Sequence, residues 1–314
     1  MKWLEISVQA DGEAAEAVCE LFNRYGQGGA VVEESLPEDE VDLLSPHPLV
    51  QVKTFLPLQD GVEAQRQRLE EALWHLSQLY PIPPPQIQEL AAEDWAEAWK
   101  RYHQIQRVGE RMVIVPTWQE YSPHGREIVL WLDPGMAFGT GSHPTTRMCL
   151  VALEKVVRPG ARVMDVGTGS GILAIAAARL GASEVLALDT DPLAVRIARE
   201  NVDLNEAGGV ITVNEGSPES WNLRPEAWDV IVINILADPI IKLARPLALC
   251  LAPQGTFIAG GILAPHEAAV TSTLEAVELC RVDRLQEKDW ITLIGVKIRR
   301  APDLCAASSS PPGG

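Results

Sequence analysis

A strand-like run, Val163-Met164-Asp165-Val166, leads into Gly167-Thr168-Gly169-Ser170-Gly171 and then into an apolar stretch from Ile172 to Leu180 that reads as a helix. Glycines at such a junction allow a tight turn and let a ligand lie against bare backbone. The spacing is Gly-x-Gly-x-Gly with an acid, Asp165, two residues ahead, not the Gly-x-Gly-x-x-Gly that sets a helix N-terminus against a pyrophosphate. A carboxylate at that point repels phosphate and favours a cation. Eighteen residues after Gly171, the next strand-like run ends in Asp189-Thr190-Asp191-Pro192. Pro192 suits the first position of a helix, which makes Asp191 its N-cap and leaves Asp189 to accept hydrogen bonds from both hydroxyls of a ribose.

A ligand that joins an adenosine to a positive aminoacyl chain is S-adenosylmethionine, with its sulfonium and α-ammonium, and Asp165 can offset that charge partly through hydrogen bonds or water. The chemistry then belongs at the carboxyl edge of the sheet, where the run Asp229 to Ile233 ends in Asn234-Ile235-Leu236. Asn234 offers an uncharged acceptor and donor. Methyltransferases of planar amides or adenine amines usually carry Pro-Pro-aromatic after this residue. Asn-Ile-Leu-Ala disfavours a stacked planar acceptor and leaves an aliphatic amine. A lysine, with a reference pKa of about 10.4, is neutral in only roughly one of a few thousand molecules at pH 7, so the site must favour the neutral form. An apolar channel would do so by desolvation, with Asn234 and backbone carbonyls aiming the lone pair. No dedicated general base is identified.

Upstream, Leu132 to Thr146 carries glycines 135, 139 and 141, which suggest a lid, and Pro144-Thr145-Thr146, which suggest a helix start. His143 is a possible base, although a loop histidine before a proline is more often structural.

The elements that must position these groups follow from periodicity. From Met112 onward come strands over 112–116 and 127–132, a helix over 144–157, and then strict alternation, with strands near 162–166, 184–189, 210–214, 229–233 and 255–259. Such alternation implies parallel strands in a doubly wound α/β sheet. After a helix near 265–277, the runs 277–285 and 290–298 are separated by only four residues, which requires an antiparallel pair. That ending separates a methyltransferase sheet from the all-parallel sheet of nicotinamide oxidoreductases. The first 90 residues read strand, helix, strand, strand, helix, strand, the order of a small ferredoxin-like α+β domain. Trp95, Trp99 and Tyr102 form one stripe on a linker helix over 91–106, and a packing role is the expected one. The expected organisation is therefore a recognition domain over 1–90, the linker, a methyltransferase domain over 107–300 and a disordered Ser/Pro/Gly tail over 301–314.

Composition narrows the partners. Residues 1–100 hold 6 Lys and Arg against 19 Asp and Glu, so most of the net charge of −17 lies in the first third. Phosphate backbones would be repelled, so no nucleic acid is expected as main partner, whereas a basic protein fits; a merely solvated acidic surface is the plain alternative. The five cysteines are scattered, odd in number and never in a Cys-x-x-Cys pair, so neither a metal site nor a disulfide framework is expected. No long apolar run suggests a membrane span or an export signal, and a soluble cytoplasmic protein is the expectation.

These residues together resemble the ribosomal protein L-eleven methyltransferase family (PrmA). The likeness rests on the acidic N-terminal region, Glu93-Asp94-Trp95, the segment from Asp133 to Thr146, Gly167 to Leu173 and Asn234-Ile235-Leu236. The resemblance implies S-adenosylmethionine-dependent methylation of lysine side-chain and N-terminal amines of a large-subunit ribosomal protein held by the N-terminal domain. It also implies cofactor contacts at Thr146, Gly167, Asp189 and Asn234, of which Thr146 comes from the resemblance alone. Phe138 in the lid segment, Asp165 and Gly169 complete the candidate cofactor-binding set, with Asn234 as the catalytic candidate. The chain departs from the pattern at Ser142 and at Ile233, whose bulk could narrow the acceptor site. Methylation of another protein or a small amine, and a non-catalytic cofactor-binding protein, are the competing readings.

Overall fold

The computed structural model describes residues 2–10, 12–34, 50–59, 61–80, 82–91, 104–133, 141, 143–218, 220–221 and 223–298. They form two compact units: residues 1–142 with 169–172 and 191–206, and residues 143–168 with 173–190 and 207–314. The aromatic stripe at Trp95, Trp99 and Tyr102, the candidate Phe138 and the tail from 301 lie outside the described residues.

In the first unit, β1 (Trp3–Ala10), β2 (Gln27–Glu34), β3 (Val50–Pro57) and β4 (Gln86–Leu90) form an antiparallel sheet in the order β2-β3-β1-β4. Alternation along β1 turns Leu4, Ile6, Val8 and Ala10 to one face. There they pack with Ala14, Val18 and Phe22 of α1 (Gly12–Tyr25) and with Leu69 and Leu73 of α2 (Val62–Ser77). Gly26 is required between α1 and β2, because a Cβ there would sit 1.7 Å from Thr54 Oγ. A second, three-stranded sheet has β6 (Met112–Pro116) between β5 (Gln106–Val108) and β7 (Ile128–Leu132), and β5 was not foreseen. The same unit holds α5 (Pro192–Leu204), with Asn201 on it and Asn205 at its C-cap.

The second unit is built on a seven-stranded mixed sheet. Its strands are β8 (Arg162–Val166), β9 (Glu184–Asp189), β10 (Ile211–Glu215), β11 (Trp228–Asn234), β12 (Leu251–Leu263), β13 (Leu279–Glu287) and β14 (Trp290–Lys297), in the order β10-β9-β8-β11-β12-β14-β13. Neighbours from β10 to β12 are parallel, and β14 lies antiparallel between β12 and β13, as so short a connection demands. The strand expected at 255–259 proves far longer, because Gly260 and Gly261 carry β12 through a register shift against β14.

Alternation decides what each sheet face presents. Met164, Val166, Ile231, Ile233, Phe257, Ala259, Ile291 and Leu293 pack in one apolar cluster with α6 (Ala237–Cys250) and α7 (Glu267–Ala276). Asp165, Asn234, Gly260 and Thr292 occupy intervening positions and therefore face the other way. On that side α3 (Pro144–Val156) lies against the β11, β12 and β14 region, and α4 (Ile172–Arg179) follows β8. Ile233 is fully buried in the apolar cluster, so its bulk does not narrow the Asn234 edge. No helix among the described residues is long and apolar enough to cross a membrane.

Candidate cofactor and methyl-transfer site

The glycine loop adopts the backbone that its composition requires. Gly167, Gly169 and Gly171 have φ of 72°, 55° and 82°, in the left-handed region that a Cβ disfavours. At Gly167 an added Cβ would also stand 2.5 Å from Ile235 Cγ2, so the loop and the turn after β11 approach each other through this glycine. The Gly167 and Thr168 amides both donate to Leu188 O, at 2.8 and 3.0 Å, which ties the loop to the end of β9.

Asp165 is fully buried and fastens the loop from beneath. Its Oδ2 accepts from Thr168 Oγ at 2.6 Å and from the Ala174 amide at 3.1 Å, which joins β8, the loop and the first turn of α4. Its Oδ1 is buried without a partner. Burial pushes the carboxyl up to about 7; the Thr168 hydrogen bond opposes that rise, and the Asp189 charge adds to it. Asp165 thus has a structural task in addition to any electrostatic one.

Asp189 closes β9, half-buried, and its carbonyl accepts from the Gly216 amide at 2.7 Å. Asp191 is the N-cap of α5, with its carboxylate accepting from the Leu193 amide at 2.9 Å and Pro192 in the first turn. Asp191 is therefore the capping residue, as expected. Thr146 is fully buried in the first turn of α3, with its Oγ unpartnered. Asn234 ends β11 opposite Gly260 of β12, 9% exposed, with its Oδ1 buried and unpartnered.

His143 is a helix cap. Its Nδ1 accepts from the Thr145 amide at 3.3 Å, and its ring stands edge-on to Trp290 with centroids 4.8 Å apart. Burial pushes the imidazole down to about 4, and the neighbouring Arg147 charge adds to the fall, so the ring is neutral at pH 7. Arg147 in turn pairs with Glu287 of β13.

The second unit therefore brings Thr146, Asp165, Gly167, Asp189 and Asn234 onto one sheet and the helix that caps it. Orphaned buried oxygens on Thr146 and Asp165, with a Cβ excluded at Gly167, suit a ligand bearing a carboxylate and a cation. Among the described residues no cluster of three His, Cys, Asp or Glu could hold a metal.

Two groups of residues escaped sequence reasoning. In the first unit, Asn201 Nδ2 donates to Ser170 O at 2.9 Å while its Oδ1 accepts from the Asp133 amide at 3.0 Å, and Asn205 clasps both backbone groups of Trp131. In the second, Cys149 Sγ, Asn234 Oδ1 and Thr292 Oγ line the space beside Gly260. Asparagines inside a helix signal only poor propensity, but a Gly-Gly pair within a strand marks a bulge or a close approach and could have been read.

Comparison with known proteins identifies the family. The family model described as ribosomal protein L11 methyltransferase (PrmA) matches residues 2–298. The ribosomal protein L11 methyltransferase of Chloroflexus aurantiacus is 47% identical over an alignment of 321 residues, covering 93% of this chain and 97% of that protein. Its namesake in Herpetosiphon aurantiacus is 41% identical, covering 93% and 98%. The crystal structure of ribosomal protein L11 methylase from Lactobacillus delbrueckii subsp. bulgaricus superposes with a TM-score of 0.56 at 32% identity, over 62% of this chain and 99% of that one. On the extent of these matches and the sheet that carries them, the chain belongs to the ribosomal protein L11 methyltransferase (PrmA) family.

Proposed function

We propose that the protein transfers methyl groups from S-adenosylmethionine to lysine side-chain and N-terminal amines of ribosomal protein L11. The observation that carries this reading is the placement of Gly167, Asp189 and Asn234 at the carboxyl ends of three strands of one mixed sheet, in a chain that the family model matches over residues 2–298. When bound, the cofactor supplies an electrophilic methyl group on a positive sulfur. The residues do the rest. Asp189 would accept from the ribose hydroxyls, the Gly167 to Gly169 backbone would leave room for the aminoacyl chain, and Thr146, near the start of α3, would donate to its carboxylate. Asp165 holds the loop in shape and, in its ionised form, would offer negative charge to the cation. Asn234 fixes the geometry at the point of transfer, and the acceptor amine becomes nucleophilic by losing its proton to bulk water as it enters a poorly solvated channel. Phe138, in the glycine-rich segment before Thr146, is read from the sequence as a further cofactor contact.

The substrate is basic, and residues 1–100, with 6 Lys and Arg against 19 Asp and Glu, supply the complementary charge. Residues 1–90, with the antiparallel order β4-β1-β3-β2 and two helices, are read as a ferredoxin-like recognition module, and residues 107–300 as the methyl-transfer domain. The setting is the cytoplasm, where ribosomal proteins are made. Incubation with labelled cofactor and ribosomal protein L11, followed by mass spectrometry, tests the reading: methylated lysines and N-terminus are expected, and an unlabelled L11 rejects it. Label on other components of a lysate would favour the alternative protein or small-amine substrate.

A further inference from the structure

Asn234 does not stand alone at the end of β11. A Cβ placed on Gly260, its partner across the parallel ladder, would lie 2.5 Å from Cys149 Sγ, 2.9 Å from Asn234 Oδ1 and 3.3 Å from Thr292 Oγ. Three polar atoms from α3, β11 and β14 thus crowd the space that the glycine leaves open. Cys149 and Thr292 are fully buried. Asn234 Oδ1 has no hydrogen-bond partner, and Thr292 Oγ has none but the neighbouring Cys149 thiol. Buried polar groups are almost always paired, and here an unpaired acceptor and two potential donors line one small space.

We propose that Cys149 and Thr292 are positioning residues for Asn234: the thiol S–H donates to Asn234 Oδ1 and the Thr292 hydroxyl donates to Cys149 Sγ. The bond to Asn234 Oδ1 is not formed as the side chains stand, and a small rotation of the Asn234 and Cys149 side chains closes the chain. Burial pushes the Cys149 thiol up to about 12, so it keeps its proton at any working pH, and Thr292 lies within its hydrogen-bonding reach. With Oδ1 held inward, the planar carboxamide turns its Nδ2 hydrogens to the open side of the sheet. Asn234 then acts at the site as a donor. What it grips is an acceptor, such as a carboxylate or a backbone carbonyl, and not an N–H of the amine to be methylated. Gly260 is the residue that makes room, since any side chain would part the three atoms.

The inference rests on the reading of Asn234 as a site residue, yet its test needs neither substrate nor cofactor. A double-mutant cycle in urea unfolding would pair Cys149→Ala with Asn234→Ala. The expected result is a double variant whose unfolding constant departs about fivefold to tenfold from the product of the single effects, as for one buried hydrogen bond. Cys149→Ser, which keeps a donor, should hold methyl transfer within about threefold of wild type where Cys149→Ala loses tenfold. Additive effects within about twofold in the cycle would overturn the proposal, as would equal activity of the serine and alanine variants. Should Cys149→Ala fail to fold, Thr292→Val against Asn234→Ala, with Thr292→Ser as the conservative control, reads the same chain of bonds under the same criteria. An intact cycle with no label on L11 would reject the substrate and leave the positioning role standing.

Discussion

Replacing Asp165 by asparagine removes a buried titration from beneath the glycine loop and leaves the loop's anchoring largely in place. The asparagine Oδ1 can accept from Thr168 Oγ and the Ala174 amide as the carboxylate Oδ2 does, and its amide nitrogen takes the place of the unpartnered Oδ1. In the folded wild type the carboxyl is raised from 3.8 to about 7. At 1.36 kcal/mol per pH unit, that gap is an upper bound of about 4 kcal/mol, and local relaxation brings the expected effect to about 2–4 kcal/mol. The sign follows from proton binding. A carboxyl whose pKa is higher folded than unfolded binds its proton more tightly when folded, so its favourable contribution is complete below about pH 4 and is lost as pH rises through 7. The asparagine variant lacks this loss, while its unpartnered amide costs about 1–3 kcal/mol at every pH. The assay is urea unfolding of both proteins from pH 4.5 to 8. All other titrating groups are common to the two, so their contributions cancel in the difference. The variant should gain on the wild type by about 2 kcal/mol or more between pH 4.5 and 8. A difference that stays flat across that range would refute the account of Asp165 as a buried, desolvated acid.

Two further outcomes bear on the site. Asp189→Ala should weaken cofactor binding about tenfold to a hundredfold by calorimetry, the worth of hydrogen bonds to a charged acceptor, and an unchanged affinity would remove Asp189 from the ribose. His143→Asn keeps an N-cap acceptor for the Thr145 amide, so stability at pH 7.5 should change by less than about 1 kcal/mol and methyl transfer should persist. Because the histidine is held down to about 4, its contribution to stability is complete above about pH 6.5 and falls away on acidification toward 4; the asparagine variant should lose that decline. Loss of more than a hundredfold in rate would instead return His143 to the role of general base.

What the sequence made legible was local. Pro192 after Asp191 signals a helix start over two residues, and the capped helix is there. Strand–helix alternation and the short link before Trp290, read as four residues and found to be two, specify the mixed sheet without any long-range knowledge. Burial and distant pairing were not legible. Nothing near Asp165 in the chain indicates that one of its oxygens is spent on Thr168 and Ala174, since the motif reads the same whether the acid faces ligand or loop. Ile233 looked like an obstacle at the acceptor site because it adjoins Asn234, but a strand sends adjacent side chains to opposite faces. Cys149, Gly260 and Thr292 come from α3, β12 and β14, and their meeting depends on the register of those elements.

The groups around the Asn234 edge share an electrostatic character that fits the chemistry. Thr146, Asn234 and Thr292 are neutral dipoles, Cys149 keeps its proton, His143 is uncharged at pH 7, and Asp165 is poised near its midpoint. Moving a methyl group from a positive sulfur to a neutral amine transfers a positive charge over one bond without changing the total. Such a step gains little from a fixed opposite charge at either end, because what favours the product nitrogen also favours the reactant sulfur. Oriented dipoles that hold distance and line, in a region with little water, serve it better. A rigid Asn234, set by buried neighbours and by three glycines at 167, 260 and 261 that admit no side chain, is what this argument asks of the fold.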